Sequence, residues 1–234
     1  MTALVLRLAA PLQSWGTSSR FVRRGTGRAP SRSGVIGMLA AAQGLRRTDS
    51  LQQLLGLRIW VRTEQNGRVE RDFQTARSRD GSEVMPLSYR YYLADAVFAV
   101  AVEGPVEVLD GLREALRRPV FPVYLGRRSC PPAGRLDHGL HDGDVESVLE
   151  TLPWLASPAV RRAAGPTAEL TVHRDCDPGT PGSELVHDVP VSFDPAHRQW
   201  GWRSVIRYPV TVPNPAAEPV ADPHDPMDLL GDAV

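Results

Sequence analysis

The chain has 234 residues, 42% of them apolar, which suffices for one large domain or two small ones with an ordinary core. Acidic and basic residues balance at 27 each. No run approaches the roughly 20 apolar residues of a membrane span, Met1 to Ala10 lacks a basic leader, and two cysteines without CxxC spacing suit a reducing cytoplasm, so a soluble cytoplasmic protein is expected. The neutral total hides a segregation: residues 1–135 hold 21 Arg and 11 acidic residues, net +10, whereas residues 136–234 hold 6 Arg and 16 acidic residues, net −10.

Residues 2–9 alternate and are rich in Leu and Val, so they read as a strand that runs into the stretch Pro11 to Gly34. That stretch carries Arg20, Arg23, Arg24, Arg28 and Arg32 with no acidic residue. Ser31 or Ser33 supplies an N-cap for a helix over about 33–46. The first-turn amides, the helix dipole and the arginines together suit a phosphate chain; a solvated, serine-capped basic loop is the alternative. Trp15, beside Gln13 and Gly16, either covers the core edge or stacks on a base.

Residues 57–64 have strand character, and Asn66-Gly67 predicts a hairpin into 68–75. Ala76 to Leu87, with Arg77 and Arg79, offers little to bury and predicts a protruding finger. A long strand follows over 89–103, continuously apolar from Ala96 to Val102, then a helix over 106–118 and a short strand over 120–125. The expected fold class is α+β, a ferredoxin-like (RRM-like) βαββαβ domain over 1–135, with both helices on one face and the other face open. Its finger, or thumb, spans about 65–90. Beyond it, an acidic connector over 137–165 with a short helix at 145–152 leads to strands at 167–175, 185–193 and 199–212, a small β-rich region over 136–212. Residues 213–234, rich in Pro and Asp, read as a disordered acidic tail.

A second basic site follows the strand at 120–125: Tyr124-Leu125-Gly126-Arg127-Arg128-Ser129-Cys130-Pro131. It reads as an anion-binding strand end or as an ordinary exposed turn. The chain has no lysine, so every fixed cation is a guanidinium, able to fork onto phosphate and to stack on bases. No metal or cofactor is expected. His138, His141, Asp142 and Asp144, like His173, Asp175, Cys176 and Asp177, lack a ligand frame, and Gly25-Thr26-Gly27 lacks the third glycine of a dinucleotide fingerprint. All six histidines lie at or beyond His138, so the basic half has neither His nor Lys to activate a ribose hydroxyl, and no catalytic residue is assigned.

Gln13-Ser14-Trp15-Gly16, Thr26-Gly27-Arg28, Ser31-Arg32-Ser33-Gly34 and Tyr124 to Pro131, in this order and spacing, closely resemble the CasD family of type I-E CRISPR Cascade subunits, within the RAMP superfamily. The resemblance covers about residues 1–135. It implies a non-catalytic subunit that binds the 5′ handle of CRISPR RNA and caps the backbone filament. Its partners would be a CasC-type backbone subunit and a CasA-type large subunit, with target DNA indirectly near the thumb. By position, handle contacts would fall on Gln13, Trp15, Arg28, Arg32, Ser33, Arg127, Arg128 and Ser129. The basic opening stretch adds Arg20 and Arg24, the strand-end stretch adds Tyr124 and Gly126, and the thumb contributes Arg77 and Arg79. The alternative is a precursor-RNA endoribonuclease, as in the related type I-C branch. Against it, the strand before the thumb reads Asp72-Phe73-Gln74-Thr75, without histidine.

Overall fold

In the computed structural model the described residues are 1–17 and 23–217; Arg20 and residues 218–234 of the acidic tail lie outside them. Strand β1 (Thr2–Ala9) sends Leu4, Leu6 and Leu8 to one face of a sheet and Ala3 and Val5 to the other, all fully buried. A strand buried on both faces belongs at the centre, and each such leucine contributes about 1.5–3 kcal/mol. β1 pairs with β7 (Val97–Glu103) on one side and β8 (Asp137–Asp142) on the other. β7 then pairs with β4 (Arg58–Gln65), β4 with β9 (Thr167–Cys176), β9 with β11 (Gln199–Pro213), and β10 (Glu184–Ser192) forms the far edge. The protein is thus a mixed α+β fold on one seven-stranded antiparallel sheet, ordered β10-β11-β9-β4-β7-β1-β8. The charge boundary at Arg135 falls within this continuous sheet, just before β8.

Helices α1 (Arg32–Gln43) and α3 (Val106–Arg117) cover the face that carries Leu4, Leu6, Leu8, Phe98 and Val100. Ser31 caps α1 by accepting from the Gly34 amide at 3.2 Å, and Gly44, at φ 84°, ends it. The opposite face is not open. Helix α4 (Val145–Thr151) packs Val145, Val148 and Leu149 on it together with Trp60, Trp154, Leu170 and Val210, so no bare sheet remains there for bases to stack on. Two short helices, α2 (Gln52–Leu55) and α5 (Pro158–Ala163), complete the set.

Three departures from the sequence reading have physical causes. First, the Asn66-Gly67 turn does not make a hairpin between its flanking strands. The chain leaves the large sheet there, and β5 (Arg68–Gln74) pairs with β6 (Ser88–Ala94) in a second sheet that also takes β2 (Leu12–Gln13) and β3 (Arg23–Arg24). The long strand expected over 89–103 breaks at the same level, at Asp95, whose φ is 57° and whose carbonyl accepts from Gln65 Nε2 at 2.6 Å. A Cβ on Gly67 would lie 2.7 Å from the Ala94 carbonyl, so the crossing admits only glycine. Second, residues 120–125 are not a strand. Pro119 and Pro122 remove ladder donors, and Val120 and Phe121 instead donate to the carbonyls of Ala42 and Ala41 at the end of α1. The edge beside β1 is filled by the polar Asp-His-Gly-Leu-His-Asp of β8, anchored where Asp137 meets Arg113 and Arg117. Third, residues 213–217 belong to the fold: Asn214 is 3% exposed and donates to the carbonyls of Arg161 and Gly165.

Beneath α4 lies a fully buried ion pair. Arg62 Nε donates to Glu64 Oε1 at 2.6 Å, and the same guanidinium reaches the carbonyls of Leu149, Leu152 (2.9 Å) and Pro153 (3.0 Å) at and beyond the end of α4. Glu64 also accepts from the Leu155 amide at 2.7 Å. Burial pushes its carboxyl above the usual range, opposed by the Arg62 bond.

Candidate nucleic-acid interface

The two arginine-rich stretches meet at the exit of β1, through contacts between loops rather than neighbouring strands. Gln13 is buried; its Nε2 donates to the Ala96 carbonyl at 2.7 Å, and its Oε1 accepts from Trp15 Nε1 at 3.0 Å. The Trp15 ring fills the space over Gly34, where a Cβ would come within 2.8 Å of it. Gly27 donates to the Trp15 carbonyl and Thr26 Oγ1 accepts from the Trp15 amide, so Thr26-Gly27 latches the returning chain. Ser14 donates to the Leu125 carbonyl at 3.1 Å, and Gly126, at φ 86°, is pressed against the Ser14 carbonyl. The loop 125–130 is closed by Leu125 donating to the Cys130 carbonyl and Cys130 to that of Arg127, each at 2.8 Å.

Arg127 completes the joint. Its guanidinium sits 4.7 Å over the Tyr92 ring and donates to the Arg24 carbonyl at 2.9 Å. Around it, Arg24, Arg90, Arg127 and Arg128 line a cleft of about 750 Å³ with Tyr124 and Gly126. Arg90 Nε and Arg127 Nη1 are buried there with no hydrogen-bond partner among the described residues. Beside them the exposed guanidinium groups of Arg24 and Arg128 give the hollow donors that can fork onto an anion. A second cleft, of about 730 Å³, shares Arg47, Phe121, Pro122, Tyr124 and Gly126 with the first and runs along α1 past Ser33, Gly34 and Gly37.

Of the expected contact residues, Gly126, Arg24, Arg28, Arg128 and Ser129 are exposed, and Ser33, Tyr124 and Arg127 are half-buried. Arg77 and Arg79 are exposed at the far end of the β5–β6 ribbon, and Arg20 lies outside the described residues. Three assignments change. Gln13 and Trp15, the latter 1% exposed, present no surface to a ligand; both hold the interface together from below. Arg32 is committed internally: Nη2 donates to the carbonyls of Leu57 (2.7 Å) and Leu55 (3.1 Å), and Nη1 pairs with Asp175 at 3.3 Å. With its guanidinium bonded to two carbonyls and a carboxylate, its role is that of a staple rather than a phosphate contact; burial lowers its pKa. Arg90 and Arg47 were not anticipated, although Arg90 stands in a run, Tyr89-Arg90-Tyr91-Tyr92, whose alternation of rings and charge marks it.

The N-terminus of α1, expected to take a phosphate, is served by the chain itself. The Arg32 amide donates to Asp188 Oδ2 at 2.7 Å, and Arg203 binds both oxygens of the same carboxylate, at 2.6 and 2.9 Å. Arg203 also reaches Asp175, which joins four charged side chains in one network. The acidic half thus neutralises part of the basic half inside the fold.

His173 borders this network, its ring facing Thr63 Oγ1 at 3.3 Å. Burial pushes its pKa down to about 4, with Arg207 and Arg203 adding to the effect. The folded chain therefore holds it neutral, while the unfolded chain takes up a proton near pH 6.5. Stability falls as pH drops from about 6.5 to about 4, by up to about 3 kcal/mol, and this contribution levels off below. Urea midpoints measured across that window are expected to fall less steeply for His173→Gln than for the parent; equal slopes would remove His173 as the source.

Among the described residues no three His, Cys, Asp or Glu side chains gather as a metal set, and no helix is long and apolar enough to cross a membrane. The CRISPR system Cascade subunit CasD of Escherichia coli (strain K12) is 38% identical over 165 residues, 62% of this chain and 71% of that one. A chain of a CRISPR RNA-guided surveillance complex is 33% identical and superimposes with a TM-score of 0.75 over 97% of both chains. A chain from the crystal structure of a Cas protein is 31% identical, with a TM-score of 0.68 over 93% of this chain and 98% of that one. The description CRISPR-associated protein (Cas_Cas5), Cas5d type, matches residues 3–206. Because that match runs from β1 into β11, through both arginine stretches and the strands that carry them, the chain belongs to the Cas5 family of CRISPR-associated proteins.

Proposed function

We propose that this chain is the non-catalytic subunit of a type I-E Cascade surveillance complex that binds the 5′ handle of CRISPR RNA. In that role it caps the backbone filament and joins it to the large subunit. The observation that carries the reading is the arginine cleft: Arg24, Arg90, Arg127 and Arg128 converge, Arg90 Nε and Arg127 Nη1 have no hydrogen-bond partner among the described residues, and the loop 125–130 is fixed against Ser14. The similarity to CasD and to a surveillance-complex chain points the same way. The order β8-β1-β7-β4, with α1 and α3 on one face, supports a ferredoxin-like core, and the exposed end of the β5–β6 ribbon, with Arg77 and Arg79, is its thumb. Residues 1–135 supply the RNA contacts, and residues 136–212 buttress them through β8, Asp175 and Asp188. A CasC-type backbone subunit and a CasA-type large subunit are the protein partners, with target DNA passing near the thumb.

Filter binding of CRISPR RNA with and without its 5′ handle is expected to give tighter binding with the handle; equal affinity would overturn handle recognition. Arg127→Ala is expected to weaken binding by about 1–3 kcal/mol and to reduce the salt slope by about 1. The exposed Arg128→Ala, whose side chain makes no hydrogen bond or ion pair among the described residues, checks that the loss is one of phosphate contact. A single site-specific cut of repeat RNA in EDTA would favour the endoribonuclease instead.

A further inference from the structure

The cleft along α1 is more apolar than the arginine cleft beside it. Its floor is apolar, formed by Gly37, Met38, Ala41, Leu51, Phe121 and Phe193, and its rim carries Arg46, Arg47 and Arg198. Such a surface suits a segment that interleaves apolar anchors with carboxylates. The sequence contains one. Residues 218–234 hold Glu218, Asp222, Asp225, Asp228 and Asp232, no arginine, and Met227, Leu229 and Leu230 among the last of these acids.

The sheet register brings that segment within reach. Leu8, Phe98, Thr63, Thr171 and Pro209 lie in one row across β1, β7, β4, β9 and β11. The end of β11 therefore sits at the same end of the sheet as the exit of β1. Four strand spacings of about 4.8 Å separate the two strands, about 19 Å in all. The ten residues from Ala217 to Met227 span up to about 33–36 Å when extended, enough to round the sheet end and enter the cleft beside Ser14 and Gly126.

We propose that residues 218–234 dock in this cleft, with Met227, Leu229 and Leu230 on its floor and Asp225, Asp228 and Asp232 against Arg46, Arg47 and Arg198. The segment is then a competitor carried by the chain itself. Because this cleft shares Arg47, Tyr124 and Gly126 with the arginine cleft next to it, docking and RNA entry oppose one another. That last consequence rests on the RNA reading of the neighbouring cleft; the docking does not.

A fluorescent peptide of residues 218–234 is titrated against the chain truncated after Ala217 and against the full chain, followed by anisotropy. The expected result is saturable binding to the truncated chain and about tenfold weaker binding to the full chain, whose cleft is already filled. Arg47→Ala with Arg198→Ala in the truncated chain, or Leu229→Ala with Leu230→Ala in the peptide, is expected to weaken binding by a similar factor. Equal binding to the truncated and full chains, or equal binding of a scrambled peptide of the same composition, would overturn the proposal. In parallel, truncation is expected to raise RNA affinity severalfold at low salt. Peptide docking without that rise would leave the docking standing and remove RNA from the adjoining cleft.

Discussion

Arg62→Ala is expected to cost about 3–5 kcal/mol of folding stability, the largest loss of any single substitution considered, read as a drop in the urea midpoint. The alanine removes the guanidinium that hydrogen-bonds the fully buried Glu64, leaving it the more distant charge of Arg7, and strands the carbonyls of Leu149, Leu152 and Pro153 without their donor. Glu64 would respond by binding a proton, which its burial already favours, so the variant's deficit is expected to shrink as pH falls. Arg62→Met combined with Glu64→Leu removes both charges and is expected to recover much of the loss. A single variant as stable as the parent would show that the pair contributes nothing and that the carbonyls find other donors.

Gly126→Ala is expected to abolish the interface while leaving most of the core standing. The backbone there has φ 86°, which costs an alanine about 1–2 kcal/mol. The added Cβ would also fall 1.6 Å from the Ser14 carbonyl oxygen. That neighbour is backbone, and it cannot retreat without breaking the Ser14-to-Leu125 bond, so the loop 125–130 must swing away and take Arg127 off Tyr92. RNA affinity should fall at least as far as in Arg127→Ala, since the loop goes as a whole, with a smaller loss of thermal stability than Arg62→Ala. The same change at Gly111, mid-helix in α3 with nothing within 4 Å, is expected to stabilise the chain by about 0.5–1 kcal/mol. If Gly126→Ala binds RNA like the parent, the loop is not part of the binding surface.

Local pattern carried the reading of the sequence wherever a residue's partner was near in sequence or its period was clear. The alternation of β1, the serine cap of α1 and the bounds of β9, β10 and β11 were legible for that reason. What could not be read depends on residues far apart. Asn66-Gly67 has hairpin chemistry, yet whether its second arm pairs with the first or with another strand is decided at Asp95, about thirty residues later. The polar β8 resembles a loop because an edge strand with Arg113 and Arg117 at its end needs few apolar side chains. Arg32 and Arg127 look alike in sequence, two arginines in glycine- and serine-rich loops. One is consumed by Asp175 and two carbonyls, whereas the other lies over the Tyr92 ring with one side bonded to the Arg24 carbonyl, a distinction set by residues 143 and 103 positions away.

The place of Asp188 at the head of α1 also sets an order of events on the ribosome. The first helix emerges early, but the carboxylate that satisfies its Arg32 amide, and the Arg203 that clamps this carboxylate, are made some 156 and 171 residues later. The strand that closes the free edge of β1 likewise arrives only with residues 137–142. During synthesis the basic half is therefore an unfinished sheet with an unsated helix end. Its surface is complete only when residues 137–142, Asp188 and Arg203 have been delivered, so its assembly waits on strands made long after its arginines emerge.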